Sequence, residues 1–286
     1  MLDSNNLGSF FKFVNKKLSS PSGVAPLINS NGILITSDID KANLLNSYFE
    51  SVFIKDNDHL PPFPSRFSTT PHDTLSDIVI TPLAIHRILS KLKSNSAAGP
   101  DGLPPILFHK VSNSLTFPLS VMFRSFIPKF KKGAPSDPTN YRPISLTCTC
   151  CKVLESIITS NLVDFLLAHN LISKNQHGFM KHHSTCTNLL ESMNDWTLSL
   201  SNRKSVVIGF IDFQRAFDSI SHSKLIHKLQ SYGIEGNLLF WIQAFLSDRT
   251  QTVRIGSSIS IPCKVISGVP QGSVLGPILF NLFIND

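Results

Sequence analysis

The stretch Val206-Val-Ile-Gly-Phe-Ile-Asp-Phe-Gln-Arg-Ala-Phe-Asp218 decides how this chain is read. Apolar residues continue through it without strict alternation, which suits a strand buried on both faces. The run drives into Asp212, and a second acid, Asp218, follows in a segment of helical character. A carboxylate ending such a strand stands where backbone and solvent meet. Mg²⁺ takes oxygen ligands, usually one or two carboxylates together with substrate phosphates, so Asp212 is a candidate metal ligand. The plainer reading makes Asp212 the end of a core strand or the cap of the next helix. A short motif alone does not separate the two.

The rest of the chain narrows the choice. Its 286 residues are enough for one large domain or two ordinary ones, and 42% are hydrophobic, so a sizeable core can form. Charged residues make up only 16%, yet the formal net charge is +7. The sequence pI is near 9.2. That balance favours a polyanionic partner, nucleic acid or an acidic membrane surface. Three of the five cysteines crowd together at Cys148, Cys150 and Cys151, a spacing that matches neither a disulfide framework nor paired zinc ligands. No apolar run approaches the roughly 20 residues that span a bilayer, and Met1 to Asn6 lack the features of a signal peptide. A soluble intracellular protein with no membrane partner is expected.

Downstream of the opening stretch, Ser221 to Tyr232 reads as a helix closed by Gly233, and Asn237 to Leu246 as another. Gln251 to Ile255 starts a hairpin that Ile259 to Val265 can complete. Ser267-Gly-Val-Pro-Gln-Gly-Ser-Val-Leu-Gly-Pro277 then forms a loop whose backbone can approach a ligand closely, with a helix behind it. Upstream, Thr185 to Leu200 is an amphipathic helix with Leu189, Leu190, Met193 and Trp196 expected in the core, and Lys152 to Leu167 is a second. Between them, Ser173 to Ser184 reads as a polar loop. His177, His182, His183 and Cys186 match no established set of metal ligands. Ile127-Pro-Lys-Phe-Lys-Lys-Gly133 interleaves lysines with apolar residues and precedes Arg142, held between Tyr141 and Pro143. A rigid Arg beside flexible lysines suits phosphate recognition, although a solvated basic loop reads the same way.

Residues 1–75 form a region of their own. Phe11 to Leu18 reads as a short basic helix, Asn31-Gly32 as the turn of a hairpin, and the chain from Asp38 as a helix presenting Leu44, Leu45, Tyr48, Phe49, Val52 and Phe53. Pro61, Pro62 and Pro64 mark a linker. Thr81-Pro82 then opens a further helix, and Ala98-Gly-Pro-Asp-Gly-Leu-Pro-Pro105 is a compact turn before another from about Ile106.

Together, these segments resemble the reverse transcriptase domain of non-long-terminal-repeat (LINE-type) retrotransposons, especially the Jockey-like branch. Leu27 to Gly32 with the aromatic helix resembles the stretch preceding the polymerase, and Ala98 to Gly102 the turn that opens it. Lys129 to Gly133 and Tyr141 to Ser145 resemble the paired fingers segments, and Gln176-His-Gly-Phe179 a further fingers motif. Phe210 to Asp218 and Ser267 to Pro277 resemble the first and second palm motifs. The resemblance implies an α+β fold: helix-rich right-hand polymerase fingers and an incomplete palm with a small antiparallel sheet, over residues 76–286.

It also implies roles. Asp212 is a catalytic, metal-binding carboxylate, helped by the carbonyl of Phe213. Phe217 is a steric gate under the sugar that selects against the 2′-hydroxyl. Lys131 and Arg142 grip the triphosphate, and Ala216, Gln271 and Gly272 complete the nucleotide site. Gln176, Gly178, Phe179, Gly268 and Pro270 face template and primer. The implied partners are an RNA template, a DNA primer or target and deoxynucleoside triphosphates. Two Mg²⁺ ions are the implied cofactors.

Three departures accompany the resemblance. The family follows the second palm motif with an aromatic-Ala-Asp-Asp turn carrying the remaining metal carboxylates, whereas this sequence reaches Asp286 without an adjacent Asp-Asp pair. The stretch normally lying between Ser125 and Ile127 is missing, and Met180, His182 and His183 replace basic and glycine residues. An RNA-directed DNA polymerase domain is therefore expected, inactive as this polypeptide alone, with a non-catalytic nucleic-acid-binding remnant as the alternative.

Overall fold

Leu225 and Leu229 lie four residues apart, on one helical face, and both are fully buried at the centre of the largest core cluster. The computed structural model describes residues 23–57, 59–66, 74–78, 87–92, 105–106, 124–130, 134–146 and 149–285, with the backbone alone for 124–130, 144 and 146. The basic helix at Phe11 to Leu18, the start at Thr81-Pro82, the turn from Ala98 to Pro104 and Lys131 lie outside these residues.

The main core is helical. Helix α2 (Thr149–Ala168) contributes Leu162 and Leu166, α4 (His222–Ser231) Leu225 and Leu229, α5 (Gly236–Leu246) Leu238 and Ile242, and α6 (Gly276–Ile284) Ile278, Leu279 and Leu282. Each such side chain stabilises the fold by roughly 1.5–3 kcal/mol through its removal from water. The helix ends are set by side chains. Ser221 Oγ accepts from Lys224 N at 3.2 Å to start α4, and Gly233, at φ +74°, follows its end. Glu155, buried within α2, accepts from Val274 N (2.7 Å) and Leu275 N (3.2 Å) just ahead of α6, meeting the positive end of that helix. At the other end of α6, buried Lys228 Nζ donates to the Phe283 carbonyl at 2.8 Å.

A second cluster joins the start of the described chain to strands far along it. The hairpin β1 (Leu27–Ile28) and β2 (Leu34–Ile35) turns at Asn31-Gly32 and leads into α1 (Asp38–Glu50). Leu27, Ala42, Leu45 and Phe49 are buried against Tyr141, Val253 and Ile255, so the segment before residue 75 lies on the sheet built after it. That sheet comprises β3 (Arg124–Phe130), β4 (Tyr141–Leu146), β5 (Arg249–Ile255), β6 (Ser258–Ile259) and β7 (Cys263–Val265). Strands β3 and β4 pair antiparallel, with Lys129 opposite Arg142. Strands β6 and β7 pair antiparallel with β5, in keeping with the expected small antiparallel sheet, and β3 adds one parallel pairing to β5. The long intervening chain permits this, since parallel neighbours need a crossover connection.

Two expectations are corrected. Val206 to Asp212 belongs to no described helix or strand, and Val207, Phe210 and Ile211 are 97%, 89% and 84% exposed. The helix α3 (Thr185–Ser201) forms as read, with Ser184 and Thr187 in a reciprocal cap, yet Leu189, Leu190 and Met193 are exposed and Trp196 only half-buried. The reason is common to both. An apolar pattern states which face wants a partner, and among the described residues none covers these faces.

Candidate functional site

The site is built where the turn after Asp212 meets the loop Ser267 to Gln271. Asp218 N and Ser219 N both donate to the Arg215 carbonyl, at 2.9 and 3.2 Å, and Arg215 takes a positive φ of +55° to close that turn. The loop then locks onto it. Gly268 N donates to Ile220 O (2.7 Å), Val269 N to Phe217 O (2.8 Å), Ser267 Oγ to Asp218 O (2.7 Å) and Gln271 Nε2 to Asp218 Oδ1 (2.6 Å). Gly268, at φ +83°, lies so close that a Cβ there would stand 2.7 Å from Phe217 O and 2.8 Å from Asp218 Cα. Only glycine fits. Its carbonyl accepts from His222 Nε2 (2.9 Å) and Arg249 Nη2 (3.0 Å). Gly272 follows at φ +94°.

Strand β4 closes a third side, with Ser145 N donating to Gln271 O at 2.8 Å. Between β4, the turn and the loop lies an open cavity of about 260 Å³. Of the residues expected to handle nucleotide or metal, Arg142, Phe213, Ala216, Phe217 and Gln271 line it together. Asp218 lines it as well, its carboxylate held by Gln271. Asp212 is exposed in the neighbouring segment, outside any described strand.

The Phe217 ring stacks on Phe280 of α6 (centroids 4.6 Å apart, 22° between planes) and meets Phe179 edge-on at 6.0 Å. Phe179 itself is 59% exposed at φ +60°. The Gln176–Phe179 loop is tied down by Asn281, whose Nδ2 donates to Gly178 O (2.8 Å) while its Oδ1 accepts from Gln176 Nε2 (3.2 Å). His177, 9% exposed, bonds Glu191 Oε2 (2.7 Å) and Thr187 Oγ1 (2.9 Å), so it anchors this loop to α3. Sequence reasoning missed Tyr48, Arg215, Phe280, Asn281 and Glu191. Only Arg215, inside the quoted stretch, had a signal there, as a cation between two acids.

The fit to a metal pair is poor. Among the described residues no group of three or more His, Cys, Asp or Glu stands close enough to hold a metal ion. Asp212 and the Phe213 carbonyl do not by themselves amount to a two-ion centre. Among the described residues no helix is long and apolar enough to cross a membrane.

Comparison with known proteins adds the family. Residues 127–286 match the model described as reverse transcriptase (RNA-dependent DNA polymerase). The chain is 31% identical over 188 residues to a probable RNA-directed DNA polymerase from transposon BS of Drosophila melanogaster, covering 63% of this chain and 20% of that protein. It is 32% identical over 182 residues to the RNA-directed DNA polymerase from mobile element jockey of the same fly, again over 63% and 20%. With the probable RNA-directed DNA polymerase from transposon X-element it shares 26% identity over 289 aligned positions, 92% of this chain and 31% of that one. The chain thus spans about a fifth to a third of the length of these relatives. With more than half of its residues in the family match, the chain belongs to the reverse transcriptase family, among the domains carried by non-long-terminal-repeat retrotransposons.

Proposed function

We propose that this chain is the nucleotide- and template-binding part of an RNA-directed DNA polymerase that adds deoxynucleotides to a primer 3′-hydroxyl. One observation supports the reading most: β4, the 213–218 turn and the 267–271 loop, far apart in sequence, place Arg142, Phe213, Ala216, Phe217 and Gln271 on one cavity wall. In this reading the β3–β4 hairpin is the fingers element and the turn with its loop is the palm. Arg142 grips the triphosphate as a planar, two-pronged donor, aided by Lys131. Phe217, held from below by Phe280, forms the floor under the sugar and disfavours a 2′-hydroxyl. Gln271 fixes Asp218, and with Gly272 and Ala216 completes the wall around the nucleotide. Gln176, Gly178 and Phe179, with Gly268 and Pro270, border the path of template and primer. Asp212 and the Phe213 carbonyl are oxygen donors of the kind Mg²⁺ takes, short of a two-ion set.

The described donor set falls short of the two-ion centre, which favours a chain that binds substrates without extending primers when it acts alone. The test uses the purified chain with an RNA–DNA primer–template. The wild type is expected to bind dTTP, and Arg142→Ala to weaken that binding at least tenfold by removing charge-assisted hydrogen bonds. Equal dTTP affinity in the variant would remove Arg142 from the role. Nucleic-acid binding with no dTTP binding at all would leave only the remnant reading. Primer extension by the chain alone would overturn its inactivity.

A further inference from the structure

Tyr48 lies outside the residues that match the family, in α1, yet it lines the same cavity as Arg142 and Phe217. It is not a bystander there. Its hydroxyl accepts from Arg215 Nη2 at 2.5 Å, and the Arg215 guanidinium carbon stands 4.9 Å from the Tyr48 ring centroid. The phenol therefore holds the guanidinium by a hydrogen bond and by its ring face at once. Phe49, the next residue, is 2% exposed in the cluster with Tyr141 and Val253, so the helix that carries Tyr48 is fixed to the sheet.

The charge pattern of the cavity says what this arrangement suits. Two guanidinium groups, Arg142 and Arg215, line it together with a single carboxylate, Asp218, which already accepts from Gln271 Nε2. Among the described residues no carboxylate stands within salt-bridge distance of Arg215. A long cation that has a neutral phenol as its partner keeps its full charge for an anion entering the cavity. Two guanidinium groups on different elements match a ligand with several phosphates better than one with a single phosphate.

We infer that Tyr48 is a positioning residue of the nucleotide site. It aims Arg215 at the β- and γ-phosphates of the incoming deoxynucleoside triphosphate, as a second anion contact beside Arg142. This rests on the nucleotide-binding reading above, and it means that the segment ahead of the polymerase completes the triphosphate pocket.

The experiment is a double-mutant cycle on the full chain with primer–template, titrated separately with dTTP and dTMP. Tyr48→Phe keeps the ring and removes only the hydroxyl. It is expected to weaken dTTP binding roughly tenfold, the usual scale for a hydrogen bond to a charged group, and to change dTMP binding less than twofold. Arg215→Gln should weaken dTTP by at least as much. Tyr48→Phe added to Arg215→Gln should cost nothing further, because the two residues act as one unit. A purely structural Tyr48 would weaken dTTP and dTMP alike, and that result overturns the inference, as does a Tyr48→Phe chain that binds dTTP like the wild type. Full additivity in the double variant also overturns it. If the wild type binds dTMP and dTTP equally, the inference fails together with the nucleotide-site reading. Loss from Arg142→Ala but not from Tyr48→Phe sinks the inference alone.

Discussion

His222 opens α4 directly beneath the Gly268 carbonyl, and its charge state is tied to that position. Burial pushes its pKa below the usual 6.5; the hydrogen bond to Gly268 and the carboxylate of Asp56 act the other way, while Arg249 adds to the lowering. Asp56 is itself engaged by Ser221 and Ser223, so the ring faces one bound acid and one cation. The sign of the linkage follows. Above pH 6.5 the ring is neutral in folded and unfolded chains, and its contribution is fully present. Below that value the unfolded chain takes up the proton first, and stability falls as the pH drops towards the lowered folded pKa. Urea unfolding from pH 7.5 to 5 should show a steeper loss in the wild type than in His222→Gln, by about 1.4 kcal/mol for each unit of pKa lowering. Identical pH slopes in the two proteins would release His222 from this role. At the same scale, Arg142, Phe217 and Gln271 stand out in the sequence because each sits in a short motif, and all three line one cavity. Tyr48 and Phe280 do not stand out. Their partners, Arg215 and Phe217, are far away along the chain, and nothing local in a helical Tyr or Phe distinguishes pocket wall from core.

Among the elements, local signals were reliable and partner-dependent ones were not. The turn glycines, the caps and the 3.6-residue periodicity placed α1, α2, α4 and α5 within a few residues of where they stand. Which strand would flank β3 was invisible, because a parallel neighbour more than a hundred residues away leaves no local mark. Val206 to Phe213 is the instructive miss. Its β-branched and aromatic residues favour a strand, but burial and pairing are properties of a neighbour as much as of the segment. Among the described residues no strand pairs with it, whereas the amides of α4 and α6 lie inside hydrogen-bonded helices on the main core. Hydrogen exchange should therefore label 206–213 within the earliest time points, with α4 and α6 protected by orders of magnitude more. Slow exchange across 206–213 would mean that the segment is covered after all.

At the scale of the molecule, the question is whether the segment before residue 75 is an appendage or a part of the polymerase body. Several contacts cross that boundary: Asn46 Nδ2 donates to Ile261 O (2.7 Å), Ile54 N to Ser267 Oγ (2.9 Å) and Arg66 Nη2 to Asn285 O (3.0 Å). The apolar cluster of Leu27, Leu45 and Phe49 with Tyr141 and Val253 crosses it too. If these contacts make one cooperative unit, a cavity at Phe49 must be felt in the other cluster. Truncating a buried Phe to Ala costs about 3–5 kcal/mol, the sum of lost transfer energy and an unfilled void. Trp241 on α5 stacks on Phe245 at 5.3 Å, in the main cluster, and in a Trp196→Phe background it reports that cluster by fluorescence. Phe49→Ala should therefore shift the urea midpoint seen by Trp241 downwards, in a single transition. A separate N-terminal unit would melt on its own and leave the Trp241 midpoint where it was. The same outcome decides how the nucleotide pocket is held. Tyr48 can aim Arg215 only while α1 stays fixed to β5, so the variant that loosens the Phe49 cluster should also weaken dTTP binding at urea concentrations far below unfolding.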